Sequence, residues 1–473
     1  MGRGRKLVFG VVVFLCTFVV DSLHAVDLSP LIYSPSQPFS AMTAHYDARA
    51  LSMVDGHGLL FPDDRRKIDT SLMAFSAGYS IFVGAVYYLF GQNFFTVQLF
   101  QDLLCALTAV LLFLIAGELI SWRVGIAAGL LASVYHGIAF FSNFILPDSL
   151  VPLPILAATY SLVIAWSKRS QSCLPFLTAG FMLGLSLWLR PNALLLGPFC
   201  LAVLLLSYKK RRWLFPRVGV MVAASFLVLA PITIRNYVMF RRFVPDWIGV
   251  GMTLWIGIGE ESGGRFGAPQ TDDELGLQEA AELGNRHYSW WATPEGVERD
   301  RARIAKSLAV IVRNPVWYAR VMGRRMLRMM QCSEWAPLVD VHFGERNYAN
   351  TPEVPSKAAL TPGTALSFLR RAVKALERLA KETTLTFVVL GAIITYFISR
   401  RRWGLILIVP SYYLIFQSAV HTEFRYVLAI HYFFAIFGGV VWCLLAYGAT
   451  SAIMILLAQL RRWTVQRVAF DRE

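Results

Sequence analysis

Ten stretches of this chain are apolar and close to the length that crosses a bilayer, which removes most folds from consideration. An α-helix needs about 20 apolar residues to span the hydrocarbon core. Runs of that kind fall at 7–26, 95–119, 123–144, 150–166, 173–189, 193–208, 217–235, 384–399, 403–420 and 426–447. Inside lipid the backbone must satisfy its own hydrogen bonds, so each run is expected to be a helix. The composition agrees: 56% of residues are hydrophobic and 16% charged, with a mean hydropathy of +0.52. The expected fold class is an all-α polytopic membrane protein with about ten transmembrane helices.

A net charge of +15 would suggest a nucleic-acid partner in a soluble domain. Here the basic residues come in short clusters between apolar runs, as in cytoplasmic loops, and no nucleic acid is expected. The clusters are Arg3/Arg5/Lys6, Arg123, Lys168/Arg169, Lys209 to Arg212, Arg400 to Arg402 and Arg461/Arg462. All fall on one side if the further apolar segment Met73 to Gly91 does not cross. That segment is therefore read as a helix in the outer interface, with Tyr79, Tyr87 and Tyr88 suited to that depth. Both termini are then cytoplasmic, and 27–72, 236–383 and the turn holding Asp148 lie outside. Met1 to Lys6 followed by Leu7 to Val20 and Ala25 has the order of a signal peptide, but an uncleaved first span fits this topology. Three parts result: a transmembrane module over 1–235 with a first outer loop at 27–94, a mixed extracytoplasmic loop domain over 236–383, and C-terminal helices with a cytoplasmic tail over 384–473. In the loop domain, helical spacing on both sides of Asn314-Pro315 predicts two amphipathic helices within 297–330. Of six cysteines, Cys16, Cys105, Cys173, Cys200 and Cys443 lie in or beside apolar runs and Cys332 in the loop domain, a spacing that gives no disulfide framework and no CxxC pair.

Four polar groups are expected on one face: Tyr46-Asp47, Asp148 in "LPDSL", Arg190 in "WLRPN" with Arg235-Asn236 in "TIRNY", and His421, Glu423, Arg425 and Tyr426 in "HTEFRY". Taken singly, each has an ordinary account. Charged groups at span ends snorkel, Asp148 suits a helix N-terminus, and Arg190-Pro191 ends a span. As a set, two carboxylates and several arginines suit a phosphate-bearing substrate and a hydroxyl or amine to be activated. His45, His57, Asp47 and Asp55 match no closed metal site. The glycines from Gly249 to Gly267 lack GxGxxG because position 254 is Leu, and Trp290-Trp291 suits either sugar stacking or an interfacial anchor.

In order along the chain, "YDARALSMVDGHG", "AGYSIFVGAVYYLFG", "LPDSL", "LSLWLRPNALLL", "APITIRNYVMFRRFVP", "GMTLWIG" and "EFRYVLAIHYFFAIFGG" resemble the GT-C superfamily of membrane glycosyltransferases. The likeness is to the bacterial branch of the dolichyl-phosphate-mannose-protein mannosyltransferases (glycosyltransferase family 39) and to the aminoarabinose transferases. The resemblance implies a GT-C fold, a sugar donor carried on a polyprenyl phosphate, and an outer-face cavity that needs no nucleotide sugar. It places Asp148 as a second acid, and Arg190, Arg235 and Arg425 as groups that hold the lipid phosphate or complete the cavity. Tyr46, Asn236, His421, Glu423 and Tyr426 would line it. An acid in the first loop would serve as general base in an inverting transfer. One position departs from that pattern: where relatives keep this acid, four residues before Tyr46, the chain has Met42. Either the adjacent Asp47 takes the role, or the chain binds a lipid-linked sugar without catalysis.

The expected function is thus inverting transfer of a sugar from a polyprenyl phosphate to an unidentified lipid, glycan or protein acceptor, in a bacterial inner membrane with an extracytoplasmic site. No cofactor is assigned, and a divalent metal is left open. A transporter or flippase would instead place ionisable groups near the midplane and show repeats. It would invoke Asp21 and Glu118, which the sequence puts near span ends, where interface exposure accounts for them. An oligosaccharide polymerase or ligase would share the donor and differ in acceptor.

Overall fold

The computed structural model describes residues 2–32, 41–58, 77–167, 172–207, 214–282, 284, 294–330, 365–421 and 423–470. These residues are helical with no strand among them. In order the helices are α1 (Arg3–Ile32), α2 (Ala41–Val54), α3 (Ala77–Phe90), α4 (Phe94–Leu119), α5 (Trp122–Ser133), α6 (His136–Ser142), α7 (Pro152–Ser167), α8 (Leu174–Leu189), α9 (Leu196–Ser207), α10 (Leu214–Phe240), α11 (Val250–Ser262), α12 (Asp272–Glu282), α13 (Pro294–Arg313), α14 (Pro315–Met330), α15 (Ala365–Ile398), α16 (Arg400–Ser418) and α17 (Leu428–Phe470). Single 3-10 turns sit at Pro147–Ser149, Pro191–Ala193 and Phe424–Val427.

Among the described residues, six helical segments are long and apolar enough to cross a membrane: Gly4–Asp27, Phe94–Leu119, Pro147–Ser167, Leu214–Phe240, Ser367–Ile398 and Arg425–Ala449. The pair α5 and α6, bent by 55° at its break, makes a seventh. Shorter apolar helices occupy Ala77–Phe90, Leu174–Leu189 and Pro191–Val203. The 14 residues of α3 reach roughly 21 Å at the α-helical rise, less than the hydrocarbon thickness. The two helices expected around Asn314-Pro315 are α13 and α14. The change from polar to apolar sequence at 383/384 falls inside α15, which runs unbroken for 34 residues.

Without a hydrophobic drive between helices in lipid, close association needs small residues that let backbones meet. The GxxxG of α8 does this against α10: a Cβ on Gly180 would come within 2.2 Å of the Met221 carbonyl oxygen, and one on Gly184 within 2.4 Å of Val228. Gly125 and Gly129 repeat the device on α5, against the Phe113 carbonyl of α4 and Val13 of α1. Gly391 sets α15 on the Phe437 carbonyl of α17. Lys6 Nζ meets Glu118 Oε1 at 2.6 Å, so α1 and α4 run antiparallel with the start of one beside the end of the other.

Two sequence expectations are corrected here. Of the three tyrosines assigned to the interface only Tyr88 is exposed, whereas Tyr79 and Tyr87 are buried because α3 turns that face onto α2 and α4. Asp21, assigned to the interface, is 1% exposed; α1 continues past it to residue 32, so Asp21 lies inside the bundle rather than at a helix end. Glu118, paired to Lys6 and partly exposed, keeps its interfacial account.

Candidate active site

The site grows out of breaks in helices. Between α6 and α7 the chain leaves helical geometry, and the carbonyls freed there need donors. α4 supplies them: Gln98 Nε2 donates to the Asn143 carbonyl at 2.6 Å, and Gln101 Nε2 donates to those of Ser142 and Phe144 at 2.6 and 2.9 Å. The braced turn buries Asp148 to 2% exposure. A second break follows α8, where Pro191 stops the helix and leaves Arg190 extended. Arg190 reaches Asp148 with two atoms, Nη2 to Oδ2 at 2.8 Å and Nε to Oδ1 at 2.7 Å. The first is a charge-assisted hydrogen bond, and the second brings the two opposite charges into close contact.

The third break is "HTEFRY", between α16 and α17. Arg425 Nε lies 2.6 Å from Glu423 Oε2, and the Tyr426 hydroxyl donates to Glu423 Oε1 at 3.1 Å. The Arg190 and Arg425 guanidinium groups approach the Tyr426 ring at 4.6 and 5.1 Å from its centroid, within cation–π range. Asn192 Nδ2 donates to the Tyr426 carbonyl at 3.4 Å, and the Tyr412 hydroxyl donates to that of Asn192 at 2.7 Å, so the second and third breaks are stitched together.

α11 and α14 hold the far side. His421 Nδ1 is 2.8 Å from Glu260 Oε2, and its backbone N–H donates to the Thr253 carbonyl. Burial disfavours the imidazolium, but hydrogen bonds to Glu260 and Glu423 outweigh it and raise the His421 pKa to about 10. Burial likewise works against the Glu423 carboxylate, yet Arg425 and His421 hold it well below the usual carboxylate range. Arg325 donates to the carbonyls of Gly257 and Ser418 at 2.5 and 3.2 Å. Position 257 must be Gly, because a Cβ would stand 2.8 Å from both Arg325 Nη2 and the His421 nitrogen. The glycines of this segment thus serve close packing, as Gly251 also does against Asp300.

α2 presents three faces. Tyr46 is buried, meets Tyr79 edge-on at 4.8 Å, and has Arg190, Asp148, Arg425 and Tyr426 as its electrostatic neighbours. Burial raises its pKa. Asp47, on the next face, is half-buried, accepts from the Tyr87 hydroxyl at 2.6 Å and is reached by Gln92 Nε2 at 3.2 Å. Arg49, on the third, is a charged neighbour of Arg235 in α10.

Asp148, Arg190, Tyr426, Arg425, Glu423 and His421 therefore form one connected group with Tyr46 beside it. Asp47 adjoins the group but is engaged by α3 and Gln92. Asn236 is not part of it: its amide donates to the carbonyls of Val244 and Asp246 at 3.1 and 2.6 Å, closing the turn after α10. Arg235 is 1% exposed, donates to Asn236 Oδ1 at 3.1 Å and lies over Phe240. Met42 lies one turn before Tyr46 on α2, with its side chain outside the described residues. Trp290, Trp291 and Cys332 also lie outside them. His45, Asp55 and His57 are exposed and form no metal-binding group among the described residues. Sequence reading passed over Glu260, Arg325 and Tyr87 as site members; the acidic pair after "GIG" was the one local hint of the first.

Residues 78–234 match the family model of the dolichyl-phosphate-mannose-protein mannosyltransferases. That span includes Tyr87, Asp148 and Arg190. Among solved structures, the Archaeoglobus fulgidus oligosaccharyltransferase tethered with an acceptor peptide aligns at TM-score 0.52 and 14% identity, covering 93% of this chain and 49% of that one. The chain has the GT-C superfamily fold. The same archaeal enzyme in complex with an inhibitory peptide and a dolichol-phosphate aligns at TM-score 0.51 and 13% identity, over 94% of this chain and 51% of that one. ArnT from Cupriavidus metallidurans bound to undecaprenyl phosphate aligns at TM-score 0.39 and 14% identity, over 95% and 80%, a score that adds nothing to the fold assignment. No curated protein matches the chain in sequence. The chain spans about half the length of the oligosaccharyltransferase structures.

Proposed function

We propose that this GT-C protein transfers a sugar from a polyprenyl-phosphate donor to an acceptor at the face of the membrane opposite its basic clusters. The observation that carries this reading is the buried Asp148–Arg190–Tyr426–Arg425–Glu423 group beside Tyr46. Groups of this kind, kept out of water and fixed before the substrate arrives, stabilise charge that develops on a leaving phosphate. Arg190 and Arg425 already have carboxylate partners, so their role is to orient and polarise. Arg235 and Arg49 are like charges near one another, and we assign them to attracting the lipid phosphate.

A crevice of about 100 Å³, walled by Thr159, Trp166, Leu183, Cys200, Met221 and Ile408 with other apolar side chains, lies against α7 and α8 away from their Asp148 and Arg190 ends, and it offers room for a short part of the donor's apolar tail. Asp47 is the carboxylate best placed as base, since it is half-exposed, whereas Asp148 is closed in by Arg190. In-line attack opposite the phosphate inverts the anomeric centre.

The test is sugar transfer by purified protein in liposomes carrying a panel of polyprenyl-phosphate sugars. Turnover of one donor, abolished by Asp47→Asn with donor binding retained, is the expected result. Donor binding with no turnover would reduce the reading to a lipid-sugar-binding protein, with Met42 marking a lost active site. No binding of any polyprenyl-phosphate sugar would remove it.

A further inference from the structure

A second polar group lies away from the Asp148 cluster. Asp21 and His24 share one face of α1, one turn apart. His136 opens α6, and Glu377 interrupts the buried stripe Val373, Ala380 and Thr384 of α15. His24 Nε2 stands 2.6 Å from Glu377 Oε1, and His136 Nδ1 stands 3.3 Å from Oε2 of the same carboxylate. The two imidazoles meet edge-on, 5.3 Å apart. One ligand atom from each residue can be chosen so that all three lie within 4.8 Å of one another.

Two imidazoles and one carboxylate on three separate helices match a ligand set for zinc, which prefers nitrogen with oxygen or sulfur in a tetrahedron and tolerates an open fourth position. A second observation points the same way. Asp21 is 1% exposed, neither carboxylate oxygen has a hydrogen-bond partner, and its charged neighbours are two more acids, Asp102 and Glu377. Acids buried together without a cation are costly inside a membrane protein. A divalent ion held by Glu377 would offset that charge where, among the described residues, no lysine or arginine pairs with Asp21 or Glu377. Arg370, one helical repeat away on α15, is engaged with Asp27. The side chain of His136 is 34% exposed, which leaves an entry path.

We propose that His24, His136 and Glu377 bind a divalent transition-metal ion of the zinc class, with Asp21 beside it, clamping α1, α6 and α15 together. α6 ends at Ser142, whose carbonyl takes the Gln101 amide that also braces the Asp148 turn. The ion would thereby fix the element that leads into the candidate active site without entering it.

The test uses full-length protein in detergent, purified without a polyhistidine tag, stripped with chelator and titrated with Co²⁺ and then Zn²⁺. Bound metal is counted by mass spectrometry and its geometry read from Co²⁺ ligand-field absorption. Wild type is expected to hold about one equivalent with tetrahedral-type absorption. His24→Gln, His136→Gln and Glu377→Gln, which keep hydrogen-bonding capacity, should weaken binding by about tenfold or more, while His421→Gln retains it. Zn²⁺ should raise the melting temperature of stripped wild type and not of the three variants. If a variant melts below stripped wild type, the same titration is repeated on the milder Asp21→Asn, for which weaker Zn²⁺ binding is expected. Wild type that holds no stoichiometric metal, or binding that the substitutions leave unchanged, would overturn the proposal.

Discussion

Replacing Arg190 with Gln tests whether the Asp148 pair is a true buried ion pair. The Asp148 side chain is 1% exposed and the Arg190 side chain 14%, and Arg190 is the donor seen on the Asp148 carboxylate among the described residues. Removing the guanidinium therefore leaves an uncompensated buried charge, a change that typically costs about 3–5 kcal/mol. Loss of the Tyr426 ring contact adds roughly 0.5–1 kcal/mol. Asp148→Asn should cost less, because the surviving arginine is the more exposed partner and still has the Tyr426 ring. Equilibrium unfolding in mixed micelles would measure both variants and Asp148→Asn/Arg190→Gln. The double variant should be less damaged than the sum of the singles by about 2 kcal/mol or more. Additive losses within about 0.5 kcal/mol, or an Arg190→Gln cost below about 1 kcal/mol, would show that the two groups do not stabilise one another and that the short contacts carry no energy.

Three further outcomes follow from the same coordinates. Burial raises the Asp246 pKa from 3.8 to about 7, so its contribution to stability is complete below about 3.8 and is lost progressively as pH rises from there to 7; Asp246→Asn should raise the melting temperature most at pH 8, less at pH 5 and hardly at all at pH 3.5. His421 is raised from 6.5 to about 10, so its stabilisation is complete below about 6.5 and disappears as pH climbs to 10; His421→Gln should flatten the alkaline fall in melting temperature seen in wild type. Gly391→Val would place a Cβ 1.9 Å from the Phe437 carbonyl oxygen and its methyls against α17, and a loss of about 1–3 kcal/mol is expected on unfolding, against almost none for Gly404→Val, where an added Cβ would meet nothing within 4 Å.

Hydropathy is a local property, so the spans were readable without a fold: Phe94–Leu119, Leu214–Phe240 and Arg425–Ala449 lie where the apolar runs put them. Asp148, Arg190 and Arg425 were readable because each stands at a break that Pro or polar residues announce. Their pairing was not, since Asp148 and Arg190 are 42 residues apart and nothing local prefers one partner over another. Orientation about a helix axis also escaped the sequence. Tyr79 and Tyr87 carry the composition of an interface belt, and only the packing of α3 against α2 and α4 turns them inward.

The chain's sequence by itself determined that it is a helical membrane protein with polar residues gathered at helix breaks, because twenty apolar residues in lipid leave the backbone no other solution. Tertiary structure alone decided which of those residues meet. It set Tyr46 rather than Asp47 against the arginines, took Asn236 away to close a turn, and brought His24 to Glu377 across 353 residues. Such meetings depend on where glycines let helices approach and on how each helix is rotated, and those are properties of pairs of helices that no single segment encodes.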